Sequence, residues 1–235
     1  TSICGDAHVP AAELGPPLDT EALDKEPKFE ADVIMLGCKA WELAGCLRMC
    51  EPWCGKETLV LPLQNGVEGL SSVQEIVSSW GKGHALAGCC NIVSAIHEPG
   101  HIRHWAASPP YVTFGEFAGS AVAKTLQVKQ VFDACKGMEG HLEDDVLSKI
   151  WEKFCFICST TSVQATSGPH ATQDVIPKVP ELEATWRAAM QEIIAVCRSY
   201  GIAYDDACVE KRVELLRQAV GATTSCSRDL WAGRP

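Results

Sequence analysis

No apolar run in the 235 residues approaches the roughly 18 that a helix needs to span a bilayer, so no membrane helix is expected. Thr1-Ser2-Ile3-Cys4 offers neither the basic start nor the apolar stretch of a secretory signal, and the expectation is a cytoplasmic protein. Positive charge is in deficit. The 20 Lys and Arg are scattered among 30 Asp and Glu, a formal net charge of -10, which argues against nucleic acid because phosphate-backbone binding needs a basic surface. A small-molecule ligand fits better. Internal repeats and low-complexity tracts are also missing. What the chain does have is a hydrophobic content of 46% with an ordinary charged fraction of 21%, enough for one large core or two smaller ones.

The 13 cysteines are many, but their odd count and their helical or strand-like settings do not make a disulfide framework, and reduced thiols are expected. Cys155-Phe156-Ile157-Cys158 has redox-motif spacing yet lies in mid-helix rather than opening a helix after a strand. Cys46, Cys50 and Cys54 recur every four residues and read as small core residues on one helix face. His97, His101 and His104 flank a Pro-Gly turn on two strands with no carboxylate set beside them, so no metal site is expected.

Residues 1 to 31, rich in Pro, Glu and Asp, read as connecting segments. Val33-Ile34-Met35-Leu36 then has the pattern of a parallel strand buried on both faces, followed by a helix from Ala40 to Met49. Thr58 to Leu63 repeats the strand, with Pro62 near its end, and Gln64-Asn65-Gly66 makes a turn into an amphipathic helix over 67 to 80. Ala85 to Ala95 is a third strand region, with further strands at His101 to His104 and Tyr111 to Gly115. Helices are expected at 121 to 136, 145 to 166, 181 to 200 and 205 to 220, with little strand signal among them. Pro180 suits the first turn of the third of these, and Leu182, Trp186, Met190, Ile193 and Cys197 mark its buried face. The domains expected are therefore 1 to 143, alternating strand and helix, and 144 to 235, helical.

Lys153 stands inside one of the most apolar stretches, Ile150 to Cys158. Burial disfavours the charged form of an ammonium, which makes such a lysine a useful proton donor. A stem lying along the apolar face with its head in water is the plainer alternative. In order, the chain also carries Asp32-Val33-Ile34-Met35-Leu36-Gly37-Cys38-Lys39-Ala40-Trp41, Leu63-Gln64-Asn65-Gly66-Val67, Glu98-Pro99-Gly100-His101-Ile102-Arg103-His104, Trp151-Glu152-Lys153-Phe154 and Ser225-Cys226-Ser227-Arg228-Asp229-Leu230. From about Glu30 to Pro235 this ordered set resembles the ketopantoate reductase family.

That resemblance implies an α/β fold: a partial Rossmann-like parallel sheet domain followed by an all-α helical domain. It implies NADP as cofactor and reduction of a 2-oxo acid substrate, 2-dehydropantoate, to its alcohol on the route to coenzyme A. Lys153 matches the catalytic lysine, lying at the start of the helical domain and facing the interdomain cleft. Lys39 and Asn65 match positions on the nicotinamide side of that cleft, at the carboxyl ends of parallel strands where open α/β sheets bind ligands. Ser225 matches a serine that contacts substrate. Taken alone, Lys39 would be a solvated loop charge, Asn65 a turn former and Ser225 a loop hydroxyl.

The match also fails in places. The G-x-G-x-x-G pyrophosphate cradle is nowhere in residues 1 to 31, and the family's functional glutamate beyond the Gly-Arg-Pro segment is not reached, so a fragment lacking both is expected. One and two turns beyond Lys153, substrate-holding asparagines of the family are replaced by Ile157 and Thr161. A different 2-oxo acid is therefore one alternative, and a catalytically inactive remnant serving as an interaction module is another. Oligomeric state is open, a homodimer included.

Overall fold

In the computed structural model, which describes residues 29–104 and 109–234, the first regular element is strand β1, Ala31–Leu36. The expectation for the first 31 residues lies almost wholly outside those described. A 3-10 turn at Ala40–Glu42 leads into α1, Leu43–Cys50, and then come β2, Cys54–Pro62, α2, Glu68–Ser79, and β3, His84–Asn91. β1, β2 and β3 pair in parallel, as strand–helix–strand crossovers demand. β4, Ser94–Glu98, and β5, His101–His104, form a separate hairpin around Pro99-Gly100. The expected third strand region is thus two strands in two sheets. β6, Tyr111–Glu116, pairs antiparallel with β3. After α3, Ala123–Ala134, strand β7, Glu139–Leu142, pairs in parallel with β6 and completes the order β1-β2-β3-β6-β7.

β2 explains why its apolar run is continuous rather than alternating. Val60 packs with Ile34, Leu43, Leu47 and Val73 against α1 and α2, whereas Leu59 and Leu61 pack with Leu86, Phe114 and Phe132 towards α3. A strand covered on both faces needs apolar residues at every position. β1 departs from that expectation. Among the described residues it has one neighbour, β2, and Met35 is 56% exposed while Ile34 and Leu36 are buried.

The remaining elements are helical: α4, Val146–Ser167, a 3-10 turn at Ile176–Lys178, α5, Pro180–Ser199, α6, Ala207–Gln218, and α7, Ser225–Trp231. The described residues divide into two compact units between Leu147 and Ser148. The buried face of α5 is Trp186, Met190, Ile194 and Cys197, so Ile194 takes the place expected for Ile193. Trp186 Nε1 donates to Thr160 Oγ1 at 3.1 Å, fixing α5 against α4. β7 and α7 were not expected. Glu139-Gly140-His141-Leu142 is short and carries little apolar signal, and its order comes from pairing with β6.

Gly88 marks where β3 approaches β2. A Cβ there would stand 2.4 Å from Leu61 Cδ1 and 2.9 Å from the Pro62 carbonyl oxygen. Gly88→Ala is expected to destabilise the protein by about 1–3 kcal/mol through overpacking, read from the urea midpoint.

Glu116, at the end of β6, is buried. Burial works to raise its pKa, but hydrogen bonds from Thr125 Oγ1 at 2.6 Å and from His84, together with the His84 charge and the Val122 amide, outweigh it and hold the carboxyl below its ordinary value. A depressed folded value contributes stability that is present above the unfolded glutamate pKa of about 4.3 and is lost as pH falls through the folded one. The stability of Glu116→Gln, followed by urea unfolding from neutral pH into acid, is accordingly expected to fall less steeply on the acid side than that of the parent.

Candidate functional site

The first group of candidate residues is built where β1 and β2 end. Their register pairs run out at Leu36 and Pro62. The backbone N–H of Leu63 still reaches Leu36 O at 3.1 Å, and the Gln64 side chain carries the join further: Nε2 donates to Leu36 O at 2.8 Å and to Cys38 O at 3.0 Å. Since Lys39 follows Cys38 and Asn65 follows Gln64, this carboxamide brings the two loops together. Lys39 is exposed, opens the 3-10 turn with its N–H donating to Glu42 Oε2 at 3.2 Å, and places Nζ 5.4 Å from the centre of the Trp41 ring. Asn65 is exposed in a turn whose next residue, Gly66, has φ +103°, a left-handed conformation that suits glycine. Ala40, Pro62, Gln64, Asn65, Gly66 and Gly88 share a small pocket at this end of the sheet.

The second group lies in the helical unit. Lys153, Ile157 and Thr161 follow one another at single turns along α4 and so share a face. Lys153 is half-buried, between the buried side chains of Trp151 and Cys155 in sequence. Thr161 Oγ1 donates to Thr224 Oγ1 at 3.0 Å. Thr224 is the N-cap of α7, its hydroxyl oxygen accepting from the Ser227 amide at 3.2 Å and lying 2.7 Å from Ser227 Oγ. The Thr224 amide donates to Gln164 Oε1 at 2.9 Å, and Gln164 Nε2 donates to Ala222 O at 3.1 Å. Asp174 pins the same approach, accepting from Lys178 Nζ at 2.7 Å, the Gly221 amide at 2.9 Å and Thr172 Oγ1 at 2.8 Å, which together hold its carboxyl well below the usual carboxylate range. Ser225 is therefore no loop hydroxyl. It is the first residue of α7, exposed, on a helix whose start is tied to Thr161.

Lys39 and Asn65 thus belong to one compact unit, and Lys153, Thr161 and Ser225 to the other. Gln64 and Thr224 were missed as site-building residues. A threonine before a helix is a legible cap, but the brief apolar content of α7 hid the helix that it caps.

The remaining sequence candidates separate cleanly. Cys46 and Cys50 lie on α1, whereas Cys54 opens β2, so the three do not share a helix. Burial, then the neighbouring Cys197, pushes the Cys155 thiol up to about 12, and burial with Cys226 raises Cys158, which leaves both poor nucleophiles. His97 lies on β4 and His101 and His104 on β5, with His101 Nδ1 2.6 Å from Glu98 Oε1. Among the described residues no three His, Cys, Asp or Glu side chains are grouped to hold a metal ion, and no helix is long and apolar enough to cross a membrane.

Comparison with known proteins defines the class. The family described as ketopantoate reductase PanE/ApbA matches residues 7–119, and its C-terminal domain matches residues 145–235. The chain belongs to the ketopantoate reductase family. Similar curated proteins include an uncharacterized oxidoreductase, YkpB, of Bacillus subtilis, 28% identical over 187 residues, 77% of this chain and 57% of the relative. Another is a 2-dehydropantoate 2-reductase of Mesorhizobium japonicum, 27% identical over 222 residues, 87% of this chain and 66% of the relative. The chain thus spans less than two thirds of the length of these relatives. A 2-dehydropantoate 2-reductase of Geobacter metallireducens shares the fold, with a TM-score of 0.80 at 22% identity over 100% of this chain and 74% of the other.

Thr224→Val, which keeps the shape, strips the cap and leaves the buried Ser227 hydroxyl without its partner. A loss of about 2–3 kcal/mol in urea unfolding is expected, with faster hydrogen exchange at the Ser227 amide, while Thr224→Ser retains most of the stability.

Proposed function

We propose that the full-length protein reduces a 2-oxo acid to the 2-hydroxy acid with NADPH, and that 2-dehydropantoate is the substrate to which the family relationship gives first place. The observation that carries this reading is the match to both domains of the family, with Lys153 half-buried on α4 where the resemblance puts the proton donor. The pocket at the ends of β1 and β2 lies where the resemblance puts the nicotinamide end of such a cofactor. Its walls are small or apolar at Ala40, Pro62, Gly66 and Gly88.

When bound, reduced nicotinamide supplies the hydride. Charge then develops on the carbonyl oxygen of the substrate, and the Lys153 ammonium stabilises it and delivers the proton that makes the alcohol. The balance is 2-oxo acid, NADPH and one proton going to 2-hydroxy acid and NADP. Lys39 and Asn65 line the cofactor side. Ser225 offers an exposed hydroxyl for the substrate carboxylate. Thr161 has a narrower role than a free hydroxyl would: its proton is committed to Thr224, so towards a substrate it presents lone pairs and accepts rather than donates.

Ile157 supports a second reading within the same chemistry, a 2-oxo acid with an apolar side chain. An apolar residue one turn beyond Lys153 supplies no hydrogen bond to a substrate hydroxyl. NADPH oxidation by the full-length protein with 2-dehydropantoate and with a panel of apolar 2-oxo acids separates the two. In either case Lys153→Ala is expected to lower kcat by about a hundredfold or more with little change in the dissociation constant for NADPH. Equal rates for the parent and this variant would reject the assigned role.

A further inference from the structure

The arginines of the helical unit are of two kinds. Arg187, Arg198, Arg212, Arg217 and Arg234 each have a carboxylate oxygen within 3.4 Å. Arg228, on α7, has none among the described residues. Its Nη1 donates instead to the Thr223 carbonyl oxygen at 2.6 Å and to Thr223 Oγ1 at 3.1 Å, and these neutral acceptors fix the guanidinium without balancing its charge. The adjacent acid is already committed, since Asp229 Oδ1 lies 2.9 Å from Arg234 Nη2. In a chain whose 30 Asp and Glu outnumber its 20 Lys and Arg, a half-buried arginine without an acidic partner stands apart. A partly desolvated cation gains from an anion that can reach it. Arg228 also keeps the donors that recognise one: with Nη1 engaged, Nε and Nη2 remain as the side-on fork that grips a carboxylate by two parallel hydrogen bonds.

We propose that Arg228 binds the carboxylate of the 2-oxo acid and is the residue that selects an acid over a neutral ketone of the same shape. This rests on the reading of the protein as a 2-oxo acid reductase. Ser225 and Arg228 lie three residues apart on α7 and so share a face, Ser225 is exposed, and the guanidinium is drawn back to Thr223, two residues before that serine. The segment is tied to α4, because Thr224 joins Thr161 on the face that carries Lys153. A serine hydroxyl can donate to the oxygen of an acid or of an ester, so Ser225 alone discriminates weakly between them. A fixed cation does discriminate, since only the acid brings the opposite charge.

The test is calorimetric binding to the full-length protein saturated with oxidised NADP, so that no turnover intervenes. The ligands are 2-dehydropantoate and 3-methyl-2-oxobutanoate, each beside a neutral counterpart that keeps the ketone: the lactone of the first and the methyl ester of the second. The parent is expected to prefer the acid of the pair it binds by at least about tenfold, the worth of a charge-assisted fork. In Arg228→Gln the acid is expected to bind about tenfold to a hundredfold more weakly, with the neutral counterpart almost unchanged and the preference lost. The neutral ligand is the internal control for any loosening of α7, which would weaken both members of a pair alike. A parent without preference for the acid overturns the assignment, as does a variant that keeps the preference or weakens both ligands equally. A parent that binds neither acid overturns the reading of the protein as a 2-oxo acid reductase, whereas binding without discrimination overturns only the role of Arg228.

Discussion

The loops after β1 and β2 share one pocket only if the ends of those strands keep a fixed spacing, and the backbone ladder cannot guarantee this. It reaches its last register pair at Leu36 and Pro62, and its last backbone bond is that of the Leu63 N–H to Leu36 O at 3.1 Å. The side chain of Gln64 takes over, spanning from the second strand's end to two carbonyls of the first. The deeper packing makes that span short. Leu59 and Leu61 are almost fully buried on one face of β2 and Val60 on the other, and Gly88 lets β3 close in beside them. The position of Lys39 and Asn65 thus follows from sheet packing through one carboxamide.

The helical unit solves the same kind of problem with hydroxyls. α7 is only seven residues long and has Ser227 as its buried residue, too little apolar surface to dock itself. It is held instead through its cap. Thr224 joins Thr161 on α4, Gln164 secures the cap backbone, and Asp174 secures the segment before it. Ser225 inherits its place from this network. Each member is satisfied by another, so the loss of one leaves buried polar groups exposed to the full cost of desolvation.

Much of this was legible in the residues. Strand β2 and helices α2, α4, α5 and α6 follow from apolar runs and from three- and four-residue periodicity, because each buries a broad face. The ordered motifs pointed to the family that both domain matches establish. What could not be read depended on tertiary partners. β7 is a strand because β6 lies beside it, and α7 is a helix because Thr161 and Gln164 reach it from more than 50 residues away. Among the described residues β1 stands at the end of the sheet order, and one side of it is exposed there. Gln64 looked like a turn residue, and its two donated hydrogen bonds exist only once the first two strands are paired. The Ile193 to Ile194 shift on α5 is the ordinary slip of a helical pattern in which adjacent isoleucines serve the same stripe equally well.

The central claim is chemical: the amine of Lys153 delivers the proton in reduction of a 2-oxo acid. Chemical rescue tests it most directly. With full-length Lys153→Ala supplied with NADPH and substrate, small primary ammonium ions of graded acidity are expected to restore turnover in a saturable manner, with rates that rise with the acidity of the added ion. Turnover that no added amine restores, or restoration that is indifferent to amine acidity, would contradict the account.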